Sequence, residues 1–349
     1  MELLLKQNIW RVRLINEIKG DKNMKKLQIL IPQYEETDSD VKNLLDSIAI
    51  QQNVDLKNDV GVIIVNDGSN VHLSDKLLKS YDFDIEYYLN EHKGVSATRN
   101  ACLDHATAEY VMFCDADDMF YNACGMWIIF NEINNGGFDS LVSVFVEESR
   151  IPDTKQPIYL NREMDSTFVH GKVHRRQYLI DQNIRWNENL TIHEDSFFNI
   201  QCQKLSTNVK YCQAPFYLWK WRDNSVCRHD EKYILKTFNN MLDSSDACIQ
   251  EFIKRNKITI AKQLATGMIF DCYFTMNKKE WLDQENQEYR TATEKRFKEY
   301  YHKYKEYFDT IDEREKNNII VGMKNRMFQE GLMMESITFH DWIQEIEKL

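Results

Sequence analysis

An acidic cluster of Asp115, Asp117 and Asp118 directly follows the apolar run YVMFC. Two carboxylates two positions apart at a strand end can converge on one hard cation. Such a cation, Mn²⁺ or Mg²⁺, would neutralise a diphosphate and stabilise it as a leaving group. An EF-hand is disfavoured, because Met126 stands where its terminal glutamate would fall. The alternative is an acidic turn that only ends a strand.

The segment EHKGVSATRNACL, residues 91–103, precedes that strand. Gly94 opens a predicted helix whose first backbone N–H groups would be free to meet a phosphate. Lys93 and Arg99 would add positive charge at the same end. A helix cap with solvated basic residues is the alternative interpretation.

A third segment, IHEDSFFNIQC, covers residues 192–202 and places Glu194 and Asp195 at a predicted helix start. Acidic residues there also serve as simple caps. As a catalytic base, Asp195 would accept the proton of a hydroxyl group. Glu194 could position the acceptor that carries this hydroxyl.

A fourth segment, WKWRDNSVCRHD, runs from 219 to 230. Arg222, Arg228 and His229 would close a polar loop over a diphosphate, with Ser225 as a hydrogen-bond donor. His229 is also a candidate metal ligand. For any one of these residues, a basic surface loop is the competing explanation.

Strands and helices alternate around these motifs. Short apolar runs at 27–31, 61–65, 85–89 and 110–114 predict buried strands, and 38–52 and 94–106 predict helices. This alternation predicts a mostly parallel α/β sheet with crossover helices. Ligands of such sheets bind at the carboxyl ends of the strands, where the polar motifs fall. A further strand is predicted at 141–146, and helices from about 230 to 349.

Composition indicates a globular chain of 349 residues with 43% hydrophobic residues. The net charge of −11 argues against a general binder of polyanions. The eight cysteines include no C-x-x-C pair, so reduced thiols in a cytoplasmic protein are expected. No run is apolar over the roughly 20 residues that span a membrane.

Together the motifs resemble glycosyltransferase family 2, from about residue 26 to about 230. The resemblance rests on KLQILIPQYEE, VIIVNDGSN, HKGVSATRN, the D-x-D of CDADD, and HED, with FVHGKVHRRQYLIDQNIRW before the last. It implies an inverting enzyme with a GT-A (Rossmann-like) fold. Such an enzyme transfers a hexose or N-acetylhexosamine from a UDP-sugar, with Mn²⁺ or Mg²⁺. One departure is Glu35, where the family usually has asparagine.

The resemblance also implies roles for individual residues. Tyr34 would stack on the base, Asp67 would accept a hydrogen bond from it, and Asp195 would be the catalytic base, assisted by Glu194. Asp115 would contact the ribose or the metal, and Asp117 the metal itself, with His229 as a further candidate. With the residues of the fourth segment, the candidate binding residues for the nucleotide sugar are Pro32, Tyr34, Glu36, Asp67, Lys93, Arg99, Asp115, Ala116, Arg222, Ser225 and Arg228.

Several alternatives stay open. The acceptor is expected to be a cell-surface glycan, but the basic cluster KVHRR (172–176) keeps modified bases in DNA in view. A non-catalytic module that binds nucleotide sugars or glycans is a second alternative. A nucleotidyltransferase is disfavoured, because the loop PQYEET lacks glycine. The predicted parts are an extension (1–23), a catalytic domain (24–229) and a helical domain (230–349) that could mediate homo-oligomerisation.

Overall fold

A computed structural model describes residues 24–151, 153–164, 167–222, 237–283, 286–329, 331 and 337–349. The chain divides into two compact units, Met1–Ser225 and Val226–Leu349. The strands, all in the first unit, are β1 Leu27–Gln33, β2 Val60–Asn66, β3 Asp84–Leu89, β4 Tyr110–Phe113, β5 Met119–Phe120, β6 Ser140–Ser143, β7 Phe145–Arg150, β8 Pro157–Arg162, β9 Lys172–Arg175, β10 Val209–Cys212 and β11 Tyr217–Trp219.

In the described part of the first unit, seven helices connect these strands. Helix α1 illustrates why they form: Asp40 accepts a hydrogen bond from the amide of Thr37 in a capping box, and an apolar face that includes Val41 and Leu44 is buried. The seven are α1 Asp38–Ala49, α2 Leu56–Asp59, α3 Asp75–Leu78, α4 Val95–His105, α5 Gly125–Asn134, α6 Arg176–Asp181 and α7 Glu194–Lys204.

The main sheet has seven strands in the order β10-β6-β9-β4-β1-β2-β3. All neighbouring pairs are parallel except those of β9, which runs antiparallel to β4 and β6. Leu30 in the centre pairs with Ile63 on one side and Phe113 on the other. The prediction of a mixed, mostly parallel sheet with flanking helices is therefore confirmed, and the carboxyl ends of β1, β2 and β4 meet at one edge.

The four predicted strands of this edge all form, within two residues of the predicted ends. The single strand predicted at 141–146 is wrong. Two strands stand there, β6 and β7, and the chain passes from the main sheet into a second sheet of order β5-β11-β7-β8. Hydropathy did not reveal this change, because both strands are apolar where they meet and Val144 between them is also buried.

The second unit is helical throughout its described residues, as predicted. Its core is aromatic, with Tyr273, Phe297 and Trp342 among its buried side chains. Its helices are α8 Phe238–Lys254, α9 Ile258–Met276, α10 Lys279–Leu282, α11 Gln287–Asp309, α12 Glu313–Gln329 and α13 Phe339–Glu347. The boundary near 229 and the homo-oligomer remain predictions. Among the described helices, none is both long and apolar enough to cross a membrane.

Candidate active site

A pocket of about 350 Å³ opens at the carboxyl ends of β1, β2 and β4. Eight residues predicted to bind nucleotide sugar or metal line it together, although their binding roles remain predictions. They are Pro32, Tyr34, Glu36, Asp67, Arg99, Asp115, Ala116 and Asp117. Lys93, by contrast, lines an adjoining pocket of about 360 Å³ that shares Asp67 and Thr98 with the first.

The Asp67 carboxylate fixes the turn between these two pockets. Its two oxygens accept hydrogen bonds from the backbone amides of Lys93 and Gly94, each at 2.9 Å. The next residue, Gly68, has a φ of 72°, and a Cβ there would lie 2.4 Å from the backbone nitrogen of His92. Only glycine fits this approach. His92, which sequence reasoning missed, brings its ring to a centroid distance of 4.8 Å from the ring of Tyr34.

Arg99 lies at the base of the pocket and joins three carboxylates. Its Nη2 donates to Asp115 Oδ1 at 3.0 Å. Its Nη1 donates to Glu194 Oε1 at 3.0 Å and to Asp195 Oδ1 at 2.8 Å. Burial by itself would lower the pKa of the guanidinium, but the three carboxylates raise it above its ordinary value. Burial likewise opposes ionisation of Asp115, yet Arg99 holds the pKa of that carboxyl below its ordinary value.

Asp195 lies in the first turn of α7, where sequence predicted a helix start. The helix begins at Glu194, after His193 in a left-handed conformation with a φ of 62°. The backbone amide of Val169 donates to Asp195 Oδ2 at 3.0 Å, so both carboxylate oxygens are held. Burial first, and then repulsion by Glu194 and Asp115, raises the pKa of Asp195 to about 7, against the attraction of Arg99. A carboxyl with this pKa suits proton transfer near neutral pH.

Asp117 is held at the mouth of the pocket by Arg222. The guanidinium Nη1 of Arg222 donates to Asp117 Oδ2 at 2.9 Å and to Glu36 Oε1 at 3.3 Å. Burial and the nearby Asp115 raise the pKa of Asp117, although Arg222 opposes that shift. Arg222 thus joins the loop after β1 to the acidic cluster after β4.

Asp118, the third member of the acidic cluster, is buried beneath the pocket. It accepts hydrogen bonds from the Tyr217 hydroxyl at 2.5 Å and from the Lys220 amide at 2.9 Å. Burial, and then repulsion by Asp117 and Asp115, raises the pKa of Asp118 well above its ordinary value. The Nδ1 of His170 lies 3.8 Å from Asp118 Oδ2.

Among the described residues, Asp115, Asp118 and His170 form a group that could hold a metal ion, with one potential ligand atom from each residue within 4.8 Å of the others. This set differs from the predicted set of Asp115, Asp117 and His229. Sequence reasoning missed His170, whose only signal was a position between the apolar pair Phe168-Val169 and Gly171.

Residues 28–198 match the model of the family described as Glycosyl transferase family 2. The chain carries a glycosyl transferase family 2 domain. Glycosyltransferase GlyA of Streptococcus pneumoniae serotype 4 is 25% identical over 58% of this chain and 32% of its own length. Cholesterol galactosyltransferase of Borreliella burgdorferi is 24% identical over 53% of this chain and 60% of its own. The chain thus spans about a third and about six-tenths of these relatives.

Solved structures share the fold of this family 2 domain. S. aureus TarS 1–349 in complex with UDP has a TM-score of 0.58 at 16% identity, covering 79% of this chain and 80% of that one. The same protein in complex with UDP-GlcNAc has a TM-score of 0.58 at 17% identity, covering 79% and 81%. The solved structures confirm the predicted GT-A fold, and the family model confirms the predicted family over residues 28–198.

Three residues of the predicted phosphate-binding loop lie outside the described residues. They are Ser225, Arg228 and His229. Arg222, the fourth member of the predicted loop, is described, and it contacts carboxylates of the chain itself.

The basic cluster KVHRR does not form an open cationic surface. Lys172 and His174, in β9, are 2% and 1% exposed. The Lys172 ammonium donates to the carbonyls of Phe168 and His170. Arg175 pairs with Asp139 at 2.6 Å. Arg175 and Arg176 are half-buried, so the cluster offers no run of fully exposed cations, while the identity of the acceptor remains a prediction.

Proposed function

We propose that the chain transfers a hexose or N-acetylhexosamine from a UDP-sugar to a hydroxyl of a cell-surface glycan, with inversion and with Asp195 as the base. One observation carries this proposal. The guanidinium of Arg99 donates hydrogen bonds to both Asp115 and Asp195. Asp115 lines the pocket at the strand ends, and Asp195 is the candidate base. A donor-side acid and a candidate base therefore meet at one site.

The pocket supports a nucleotide-sugar donor. Tyr34 is 43% exposed at its rim, where an aromatic face can stack on a base. Asp67 lies beside it, and Arg222 and Lys93 provide positive charge for phosphates. The structural neighbour TarS binds UDP and UDP-GlcNAc, which favours uridine among the nucleotides.

A divalent cation fits the acidic cluster. Asp115 and Asp118 offer carboxylate oxygens and His170 offers an imidazole nitrogen, a donor set that suits Mn²⁺ better than Mg²⁺. Asp117 adds a further carboxylate at the mouth of the pocket. Three aspartates within four positions repel one another, which favours the binding of a cation. When bound, the cation would neutralise charge that develops on the departing diphosphate.

The residues of the chain then perform a single in-line displacement. The Asp195 carboxylate accepts the proton of the acceptor hydroxyl, whose oxygen forms a bond to the anomeric carbon of the sugar. The bond from that carbon to the UDP oxygen breaks at the same time, and the electron pair leaves with UDP. Arg222 and Lys93 bind the phosphates. Attack from the face opposite the leaving group converts an α-linked donor into a β-linked product.

Aromatic rings beside the base support a glycan acceptor. Phe168 and Trp219 are both half-buried, with ring centroids 5.1 Å apart. Phe168 immediately precedes Val169, whose amide holds Asp195. Aromatic faces of this kind pack against the apolar faces of sugar rings. A DNA acceptor gains no such support, because Lys172 and His174 are buried and Arg175 is paired with Asp139.

Calorimetric titration of UDP-glucose, UDP-galactose and UDP-GlcNAc with and without Mn²⁺ tests the donor site. We expect Mn²⁺-dependent binding of one of them by the wild type, and its loss in Asp117→Ala and Asp118→Asn. Asp75→Ala removes a carboxylate that is 67% exposed on α3 and serves as the matched control. Release of UDP by the wild type, and the anomeric configuration of the product by NMR, test the transfer itself.

The titration separates the alternatives. Binding without UDP release, even with glycan acceptors supplied, would favour a non-catalytic binding module. Absence of binding to all three donors would overturn the proposed function. Loss of Mn²⁺ dependence in His170→Gln would place the cation on Asp115, Asp118 and His170, whereas retained dependence would place it at Asp117.

A further inference from the structure

The contacts of Arg99 differ from those of an arginine that binds phosphate. Its side chain is 5% exposed, and both terminal nitrogens are occupied by carboxylates of the chain. The guanidinium also lies over the ring of Trp186, with its Cζ 4.5 Å from the centroid. Packing and hydrogen bonds therefore fix Arg99 before any ligand arrives.

The geometry of these contacts requires a guanidinium. Nη2 reaches Asp115 at the end of β4, while Nη1 reaches Asp195 at the start of α7, so one rigid plane spans two separate elements. A lysine ammonium is a single point charge on a flexible stem and cannot reproduce this fork. The guanidinium of Arg99 thus sets the distance between Asp115, which lines the donor pocket, and Asp195, the proposed base.

Asp195 has one further anchor. The Val169 amide holds Oδ2, and Arg99 holds Oδ1. Each oxygen keeps a lone-pair position for a substrate hydroxyl, but the plane of the carboxylate is defined only while both donors are present. Removal of Arg99 would leave Asp195 held at one oxygen.

We propose that Arg99 is the positioning residue of the reaction: it holds Asp195 at a fixed place and orientation relative to Asp115, and so relative to the bound donor. This inference rests on the proposed function. In this role Arg99 acts on the reaction through Asp195 and Asp115, and it does not bind the phosphates. Its loss lowers the rate of the chemical step and leaves donor affinity nearly unchanged, because the other lining residues of the pocket stay in place.

A double-mutant cycle tests this role, with Mn²⁺-dependent release of UDP from the UDP-sugar that the wild type uses and water or glycan as acceptor. We expect Arg99→Lys to lower kcat by about 100-fold, the cost of a base misplaced by about 1 Å. The dissociation constant of the donor, measured by calorimetry, should change by less than about threefold. In an Asp195→Asn background, Arg99→Lys should cost less than about threefold, since the base is already absent.

Arg175→Lys is the matched control, because Arg175 pairs with Asp139 at 2.6 Å and lines neither pocket. It should leave both constants unchanged. Asp195→Glu, which needs no change at Arg99, gives a second test that does not depend on folding of the lysine variant. Moving the carboxylate by one methylene should lower kcat at unchanged donor affinity.

Equal costs of Arg99→Lys with and without Asp195 would overturn the inference. A donor affinity that falls as far as kcat, or an Asp195→Glu variant as fast as the wild type, would overturn it as well. Absence of UDP release by the wild type would instead overturn the proposed function, and the inference with it. Release by the wild type with an undiminished Arg99→Lys variant would overturn the inference alone.

Discussion

Two arginine centres in the first unit use the same chemistry in different surroundings. Arg99 is 5% exposed and joins Asp115, Glu194 and Asp195, whereas Arg222 is 42% exposed and joins Asp117 to Glu36. Removing the partner of a buried charge costs much stability, because little water is present to solvate the charge that remains. An exposed pair contributes little to stability, and salt screens its attraction. The comparison therefore distinguishes a fixed internal support from a contact that a ligand can displace.

The base in the buried centre should show the largest effect. We expect Asp195→Asn to slow UDP release by about 100- to 10,000-fold, the range that general bases contribute. Donor affinity should stay within a few-fold of the wild type, because Asp195 does not line the donor pocket. Steady-state kinetics and calorimetry measure the two quantities. A variant that loses donor binding as severely as turnover would show that Asp195 belongs to the donor site.

Among the substitutions, loss of the buried guanidinium should lower the free energy of unfolding the most. Arg99→Met leaves three carboxylates close together without their cation, and breaking a buried pair costs about 3–5 kcal/mol. Urea unfolding followed by tryptophan fluorescence measures the difference. Arg185→Met, which removes a surface arginine 39% exposed, is the control and should change the free energy of unfolding by about 1 kcal/mol or less. Equal costs for the two variants would remove the distinction between buried and exposed centres.

The pH dependence of turnover should report the buried centre. Because the base must be ionised, kcat should fall about tenfold per pH unit below the Asp195 pKa of about 7 and level off above it. Asp115 and Glu194 raise that pKa together with burial, while Arg99 lowers it. A rate independent of pH between 5 and 8 would exclude Asp195 as the base in this environment.

The same pKa has a consequence for folding. A carboxyl whose pKa in the folded state lies above its ordinary value of 3.8 binds its proton more tightly when folded, so it costs the folded state stability as pH rises toward about 7. Asp195→Asn should therefore gain stability relative to the wild type between pH 4 and 7, with no further gain above. Urea unfolding at several pH values measures the trend, and an opposite trend would contradict the raised pKa.

The exposed centre should give the smallest effect. Arg222→Met should change the free energy of unfolding by less than about 1 kcal/mol, and this change should shrink as salt is added. UDP affinity should fall by about tenfold or less, since one charged phosphate contact is lost while others remain. A cost as large as that of Arg99→Met would show that the Arg222 contacts are structural and not displaceable.

Local sequence patterns predicted most of the catalytic fold. Apolar runs predicted β1, β2 and β4, because strands buried on both faces of a parallel sheet need mostly apolar side chains, whereas β3 at the edge of the sheet is only partly buried. The turn after β2 also has a local signal in the sequence, since Gly68 adopts a backbone conformation that other residues rarely adopt. The sequence did not predict that the chain passes from one sheet to the other at Val144. A run of buried apolar residues does not indicate which sheet a strand joins.

The sequence by itself determined which residues are candidates for the chemistry and that they follow the strands of one sheet edge. It did not determine which of them are partners. Arg99, predicted at the phosphates, lies on Asp195, which is 96 residues further along the chain. His170 joined the acidic cluster, and Lys172 became buried. Only the tertiary structure decided these pairings, because the strength of a charge pair depends on distance and burial, which spacing along the chain does not encode.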